Sequence, residues 1–253
     1  MTKRRPIQTS DETYRRYAAF WLVLLVAAIL RAIVVEAADT TSADDRKPVD
    51  LIVEGDWLLT MIDGADPVRN GAVAIGDGAI LATGIASEIH ERFDANRTID
   101  GAGKILMPGL INGHTHAAMA LFRGIGNDLD LNRWLRTVIF PMEAAFVDED
   151  FVRTGTELAC WEMLRGGTTT FVDMYFFPNA VAETVESCGV RAIVVPTVMD
   201  QAAPDAESGA QSLEQAIEFI SEWSDRSERV YPAIGGHAIY TLKETSIIAI
   251  REA

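Results

Sequence analysis

Among the residues able to do chemistry, His114 and His116 stand out by type and spacing, closing the stretch Pro108-Gly-Leu-Ile-Asn-Gly-His114-Thr-His116. An apolar run, Ile105 to Ile111, leads into them. In a strand, side chains at i and i+2 share a face, so both imidazoles converge on one point. In a barrel of parallel strands that point is the C-terminal mouth, where such folds build their sites. Imidazole nitrogen suits a zinc-type ion, and a hydrolytic site keeps one position for water, whose pKa the ion lowers towards about 7. Two ligands alone do not make a site, and a pair of loop or core histidines is the bland alternative. The context favours metal. Gly109 and Gly113 precede the pair, and the small-residue segment Ala117-Ala-Met-Ala-Leu121 leaves room for a pocket. The chain has only four histidines, the others being His90 and His237.

Composition narrows the classes. A chain of 253 residues allows one large domain or two modest ones. Apolar residues make up 49%, ample for a core and inconsistent with disorder. A net charge of −15 with no basic stripe argues against nucleic acid as a partner. Cys160 and Cys188 fall in amphipathic stretches and read as thiols, with no disulfide framework. Basic residues (Lys3, Arg4, Arg5, Arg15, Arg16) precede the uncharged run Ala18 to Leu30, and Val35-Glu36-Ala37 resembles a cleavage site. Residues 1–38 therefore read as a signal peptide or, uncleaved, as a hydrophobic membrane-anchoring helix, with a buried helix as the third reading. Arg15-Arg16 also fits a twin-arginine leader. The export readings place the folded part outside the cytoplasm; a cytoplasmic protein is the alternative.

The elements that must position the histidines follow. Residues 39–50 are polar and read as a linker. Residues 51–104 hold short β-like runs separated by Asp63-Gly64, Asn70-Gly71 and Asp77-Gly78, which suggest hairpins in a small antiparallel unit. From Ile105 the pattern alternates strand and helix. Strands are expected over 105–113, 168–175, 190–198 and 230–234. Helices are expected over 148–164, 179–188 and 212–223, capped by Asp148, Asn179 and Ser212. Alternation of this kind implies an α/β fold with βαβ units and a parallel sheet. A closed eight-stranded barrel uses roughly 250 residues. Residues 105–253 would therefore form about four βα units, a partial (β/α)8 TIM barrel preceded by a β-sandwich portion.

The motif PGLINGHTHAAMALFRG resembles the first-strand signature of the amidohydrolase superfamily. Within it, the chain is similar to the branch of S-adenosylhomocysteine/5-methylthioadenosine deaminases and chlorotriazine hydrolases. Further matches follow in order: Asp128-Leu-Asp-Leu-Asn-Arg-Trp134-Leu135, Phe140-Pro-Met-Glu143, Gly166 to Tyr175, and Gly236-His237-Ala-Ile-Tyr-Thr241. The resemblance implies one divalent metal ion, zinc first with iron or manganese as alternatives, and His114 and His116 as its first two ligands. It places Trp134 against a nucleoside, Glu143 on ribose hydroxyls and His237 on the substrate. Read without it, Trp134 lies at helical spacing among leucines and suits a core, and His237 is an ordinary loop histidine. Asp173, between apolar neighbours, must be hydrogen-bonded. His90 is given no role.

The chemistry so implied is a metal-dependent aminohydrolase acting on C–N bonds of a purine nucleoside or related N-heterocycle, a small-molecule partner. A triazine-type chloro- or aminohydrolase is the sister reading, and homo-oligomerisation stays open. The strand leading to His237 offers no bridging lysine or glutamate, which sets a binuclear cyclic-amide hydrolase lower. Pro196 stands where some nucleoside deaminases place an arginine for an amino-acid carboxylate, which weakens adenosylhomocysteine as substrate. Gly236 and Ile239 stand where the motif around His237 usually carries prolines. In the family a third metal histidine, a proton-shuttling glutamate, a further histidine and a metal-binding aspartate come from later strands. No histidine follows His237 and no His-x-x-Glu occurs. The expectation is therefore an N-terminal fragment, inactive by itself. A non-catalytic membrane-tethered remnant is the rival.

Overall fold

The structure is a computed structural model and describes residues 45–253. The leader-or-anchor segment, residues 1–38, lies outside the described residues. Among the described residues no helix is long and apolar enough to cross a membrane. Two compact units meet in sequence between Pro108 and Gly109.

The first unit is a five-stranded sheet of β1 (Lys47–Leu58), β2 (Val68–Gly76), β3 (Ala79–Ile85), β4 (Phe93–Ile99) and β5 (Ile105–Leu106), with helix α1 (Ala86–Arg92) between β3 and β4. The order is β3-β2-β1-β4, with β5 also on β1. The sheet is mixed, not antiparallel as expected, because α1 returns the chain so that β4 runs parallel to β1. Residues 39–50 are not all linker: Lys47, Pro48 and Val49 already pair with Phe93, Asp94 and Ala95. Asp77-Gly78 does turn a hairpin, with φ of 52° and 73°, the positive pair that a tight two-residue turn demands. Asn70-Gly71 does not turn the chain and lies inside β2. A Cβ at Gly71 would sit 2.3 Å from the Leu58 Cβ, so glycine serves close strand approach there. His90, given no role, bonds Glu54 Oε1 through Nε2 at 2.5 Å and ties α1 to β1.

The second unit alternates strand and helix: β6 (Leu110–Thr115), β7 (Thr168–Tyr175), β8 (Arg191–Val198) and the interrupted pair β9 (Val230–Pro232) and β10 (Gly235–Gly236). The parallel order is β10-β8-β7-β6, with β9 also on β8. This is the α/β parallel architecture read from the alternation. The apolar run Ile105–Ile111 is split rather than one strand. Ile105 and Leu106 pair with β1, and β6 begins at Leu110. Pro108 between them has no N–H to give a ladder.

After β6 come a 3-10 turn (Ala117–Phe122), α2 (Leu131–Trp134), a π-helical turn (Leu135–Ile139), α3 (Phe140–Phe146) and α4 (Glu149–Arg165). Asp148 caps α4 as expected, accepting from the Phe151 N–H at 2.8 Å. α5 (Pro178–Cys188) follows β7, and α6 (Gly209–Trp223) and α7 (Glu244–Glu252) complete the series. Two expected caps shift. Phe177, not Asn179, precedes α5, and Asn179 instead accepts from Trp223 Nε1 at 2.7 Å. Ser208, not Ser212, caps α6 through the Gln211 N–H, and Ser212 is buried inside the helix. The core between sheet and helices gathers Phe171, Tyr175, Val185, Val194, Phe219 and Trp223.

α4 lies against the 3-10 turn at Gly155, where an added Cβ would stand 2.3 Å from the Ala118 carbonyl oxygen. On an open helix, Gly→Ala stabilises by up to about 1 kcal/mol. Here the clash is with backbone and reverses the sign. Gly155→Ala should destabilise by about 1–3 kcal/mol, read as a lower urea midpoint; an unchanged or higher midpoint would contradict this packing.

Candidate active site

The histidine pair ends β6, and β7 holds that end. The β6–β7 register slips between Asn112 and Thr115, so the last residues are fixed by side chains rather than by a regular ladder. Thr115 Oγ1 lies 2.9 Å from the Val172 carbonyl oxygen and 2.8 Å from Asp173 Oδ1. The Ala117 N–H donates to the same Asp173 oxygen at 2.6 Å. His116 Nδ1 sits 2.6 Å from the Met174 carbonyl oxygen. A carbonyl only accepts, so Nδ1 carries the hydrogen and Nε2 keeps the free lone pair. The two rings stand 5.1 Å apart at 79°. His114 is exposed and His116 half-buried.

Trp134 and Glu143 arrive from the helical stretch between the 3-10 turn and α4. Asp130 caps α2 by accepting from the Arg133 N–H at 3.1 Å. Pro141 cannot donate within the helix and its ring crowds the preceding turn. The chain accommodates it by widening to a π-turn over Leu135–Ile139. Trp134, Leu135, Ile139, Phe140 and Glu143 then line one pocket. The Trp134 indole N–H donates to the Ile125 carbonyl at 3.2 Å, which leaves its ring as an apolar wall. Glu143 is 7% exposed. Tyr175 donates its hydroxyl hydrogen to Glu143 Oε1 at 3.1 Å. Burial pushes the Glu143 carboxyl up to about 7 against the opposing pull of that hydrogen bond. Burial, then the Glu143 charge, pushes the Tyr175 hydroxyl higher still.

His237 follows β10. Its backbone N–H donates to the Val198 carbonyl at 2.9 Å, and its Nδ1 lies 3.1 Å from Thr241 Oγ1. Thr241 Oγ1 also donates to the Ala238 carbonyl at 2.9 Å. This hydroxyl holds the turn from His237 to Thr241, accepting in addition from the Ala238 N–H at 3.1 Å. Burial, with His116 as a lesser cause, holds the His237 imidazole below its usual pKa.

The structure therefore brings the five residues singled out by sequence together. His116, Trp134, Glu143 and His237 line one pocket, and His114, His116 and His237 line the adjoining one. Sequence reading missed Tyr175, which holds Glu143, and Thr241, which holds His237. Tyr175 had a signal, since it follows Asp173 at strand period two and shares its buried face. Among the described residues no third His, Cys, Asp or Glu joins the histidine pair at metal-binding range. The donors present still suit a divalent ion that takes nitrogen ligands: two neighbouring imidazoles, one with its tautomer set by a carbonyl.

Comparison with known proteins agrees. Residues 105–253 match the amidohydrolase family, and the chain belongs to it. It is 42% identical over 203 residues to a 5-methylthioadenosine/S-adenosylhomocysteine deaminase of Thermodesulfovibrio yellowstonii, covering 79% of this chain and 46% of that protein. It is 39% identical over 206 residues to a 5'-deoxyadenosine deaminase of Methanococcoides burtonii, covering 80% and 45%. The crystal structure of an adenosine deaminase from Xanthomonas campestris with bound zinc superposes with a TM-score of 0.79 at 35% identity, covering 82% and 47%. An atrazine chlorohydrolase from Arthrobacter aurescens TC1 shares the fold at a TM-score of 0.69 and 21% identity, over 80% of this chain and 50% of that one. The chain spans about half the length of the curated relatives it matches.

Glu143 carries a consequence for stability. Its folded pKa of about 7 lies above the ordinary value of 4.5. The folded state therefore binds this proton more tightly than the unfolded state. The stabilising contribution is present in full below the unfolded pKa and is lost as pH rises through about 7. Glutamine keeps the shape without the charge. Glu143→Gln should stabilise by ~1–3 kcal/mol at pH 8 and by much less at pH 5. Equal unfolding midpoints for variant and parent at pH 8 would overturn the burial argument.

Proposed function

We propose that the full-length protein is a metal-dependent aminohydrolase that releases ammonia from the heterocycle of an adenosine-like nucleoside. One observation carries the reading: a single pocket joins an apolar wall, a buried carboxylate and two imidazoles (Trp134, Glu143, His116, His237), and the chain is 42% identical to a deaminase of such nucleosides. A divalent ion at His114 and His116, zinc by analogy with the zinc-bearing relative, supplies a Lewis acid and an acidified water when bound. His116 presents Nε2 because the Met174 carbonyl holds Nδ1. Trp134 packs on the purine, and its engaged N–H adds no competing donor. Glu143 accepts from ribose hydroxyls in its ionised form, oriented by Tyr175. His237 contacts the substrate from the C-terminal end of β10, steadied by Thr241. We assign no residue of 45–253 to proton transfer. The leader-or-anchor reading of residues 1–38 belongs to the same proposal and places the enzyme outside the cytoplasm or on a membrane.

Among the described residues, no arginine or lysine lines this pocket. A substrate with a carboxylate on its 5' substituent gains no partner there. The full-length enzyme should show higher kcat/KM for 5'-deoxyadenosine or 5-methylthioadenosine than for S-adenosylhomocysteine. The reverse order would remove the specificity reading. KM for the preferred nucleoside should fall as pH rises through about 7, where Glu143 ionises. Tyr175→Phe should raise KM more than it lowers kcat. His114→Ala should abolish stoichiometric metal by atomic absorption and turnover together; retention of both would sink the ligand assignment.

A further inference from the structure

Asp173 is a fully buried carboxylate that the proposed reaction does not use. Its hydrogen bonds go to the two residues that flank His116. Oδ1 accepts from Thr115 Oγ1 at 2.8 Å and from the Ala117 N–H at 2.6 Å. Its other oxygen, Oδ2, is buried with no hydrogen-bond partner among the described residues. A carboxylate placed only for its own satisfaction would have both oxygens engaged, because an unpaired buried oxygen is costly. This one concentrates its acceptor capacity on a single short bend.

That bend needs an external clamp. Regular β6–β7 pairing fails between Asn112 and Thr115. At His116 the backbone leaves the strand, with φ −127° and ψ 75°, to enter the 3-10 turn. The ladder therefore cannot set where the two imidazoles point. β7 supplies three consecutive anchors instead: the Val172 carbonyl, which shares the single Thr115 hydroxyl hydrogen with Asp173, the Asp173 carboxylate, which also takes the Ala117 N–H, and the Met174 carbonyl, which takes the His116 ring N–H. Asp173 is the only one of the three that acts through a side chain, so it alone can be removed by substitution without altering the main chain.

We infer that Asp173 is a positioning residue for the metal centre, clamping the Thr115–Ala117 bend so that His114 and His116 converge on one ion. The inference rests on the metal-site reading above. Groups that hold metal ligands in place contribute roughly 10- to 100-fold to metal affinity when removed.

The test uses the full-length protein with zinc alone, titrated against a chromophoric chelator, and cobalt(II) as a spectroscopic substitute. Asp173→Ala should weaken zinc roughly 10- to 100-fold and shift the cobalt absorption bands. Asp173→Asn, which keeps an acceptor oxygen at the same place, should recover most of both. Thr115→Val keeps the carboxylate and loses one tether, so it should weaken zinc several-fold. It serves as the reading should Asp173→Ala fail to fold. Parent-like zinc affinity and cobalt spectrum in Asp173→Ala, or in Thr115→Val if that is the variant that folds, overturn the positioning role. His114→Ala separates the two levels: parent-like zinc binding there removes the metal-site reading itself, and this inference with it.

Discussion

The site depends on how one strand end is held by its neighbour. β6 carries both imidazoles, yet their directions come from β7. The bond from His116 Nδ1 to the Met174 carbonyl, at 2.6 Å, contributes only about 1 kcal/mol to stability by ordinary reckoning. Its larger effect is on geometry. It selects one tautomer and one ring orientation, and misplacement of a functional group by as little as about 1 Å can cost two orders of magnitude in rate. The buried core of Phe171, Val185, Val194 and Trp223 matters to the site chiefly because it keeps β7 from moving.

Glu143 shows the opposite economy. A carboxylate 7% exposed, with one phenol for a partner, is a poor way to stabilise a fold. Burial raises its pKa to about 7, so near neutral pH this carboxyl holds on to a proton that it would shed in a less apolar place. Strain of this kind persists where the surrounding structure over-determines it, and such places cluster at functional sites. Its position supports the same view. The π-turn forced by Pro141 breaks the helical phase between Trp134 and Glu143, and both residues reach one pocket because of that break.

Much of this was legible in sequence where the signal was local. The strand Thr168–Tyr175 and the Asp148 cap were read from residue type and spacing alone, and the structure has both. The His-x-His pair stood out by type and spacing, whereas Trp134, Glu143 and His237 were found through motif order, which carries tertiary information that periodicity does not. What failed depended on neighbours. Ile105–Ile111 looked like one strand because hydropathy does not say which sheet a residue joins. Asn70-Gly71 has hairpin chemistry but serves the close approach of β1. Asn179 is a good capping residue that the indole of Trp223 takes for itself. The Met174 carbonyl could not be found at all, since every residue has one and only register brings this one to His116.

The strand spacing sets what the two histidines must do to share one ion. Alternate residues of a regular strand lie roughly 6.5–7 Å apart, and their side chains leave the sheet nearly parallel. Two nitrogens that share a tetrahedral ion at about 2.0–2.1 Å each must approach to roughly 3.3 Å. Side chains on one strand face close that gap by rotation about χ1 and χ2, so what matters is that their rotamers are held. Here the ring centres have closed to 5.1 Å and the planes are turned by 79°. The β6–β7 ladder is interrupted over the same residues, between Asn112 and Thr115. The lost ladder bonds must then be replaced, or the backbone polar groups would be stranded inside the fold. Thr115, which sits between the histidines, and the Ala117 N–H, which follows them, both find their replacement in Asp173. The bulge, the threonine and the buried carboxylate thus act together on the short segment that carries the two histidines.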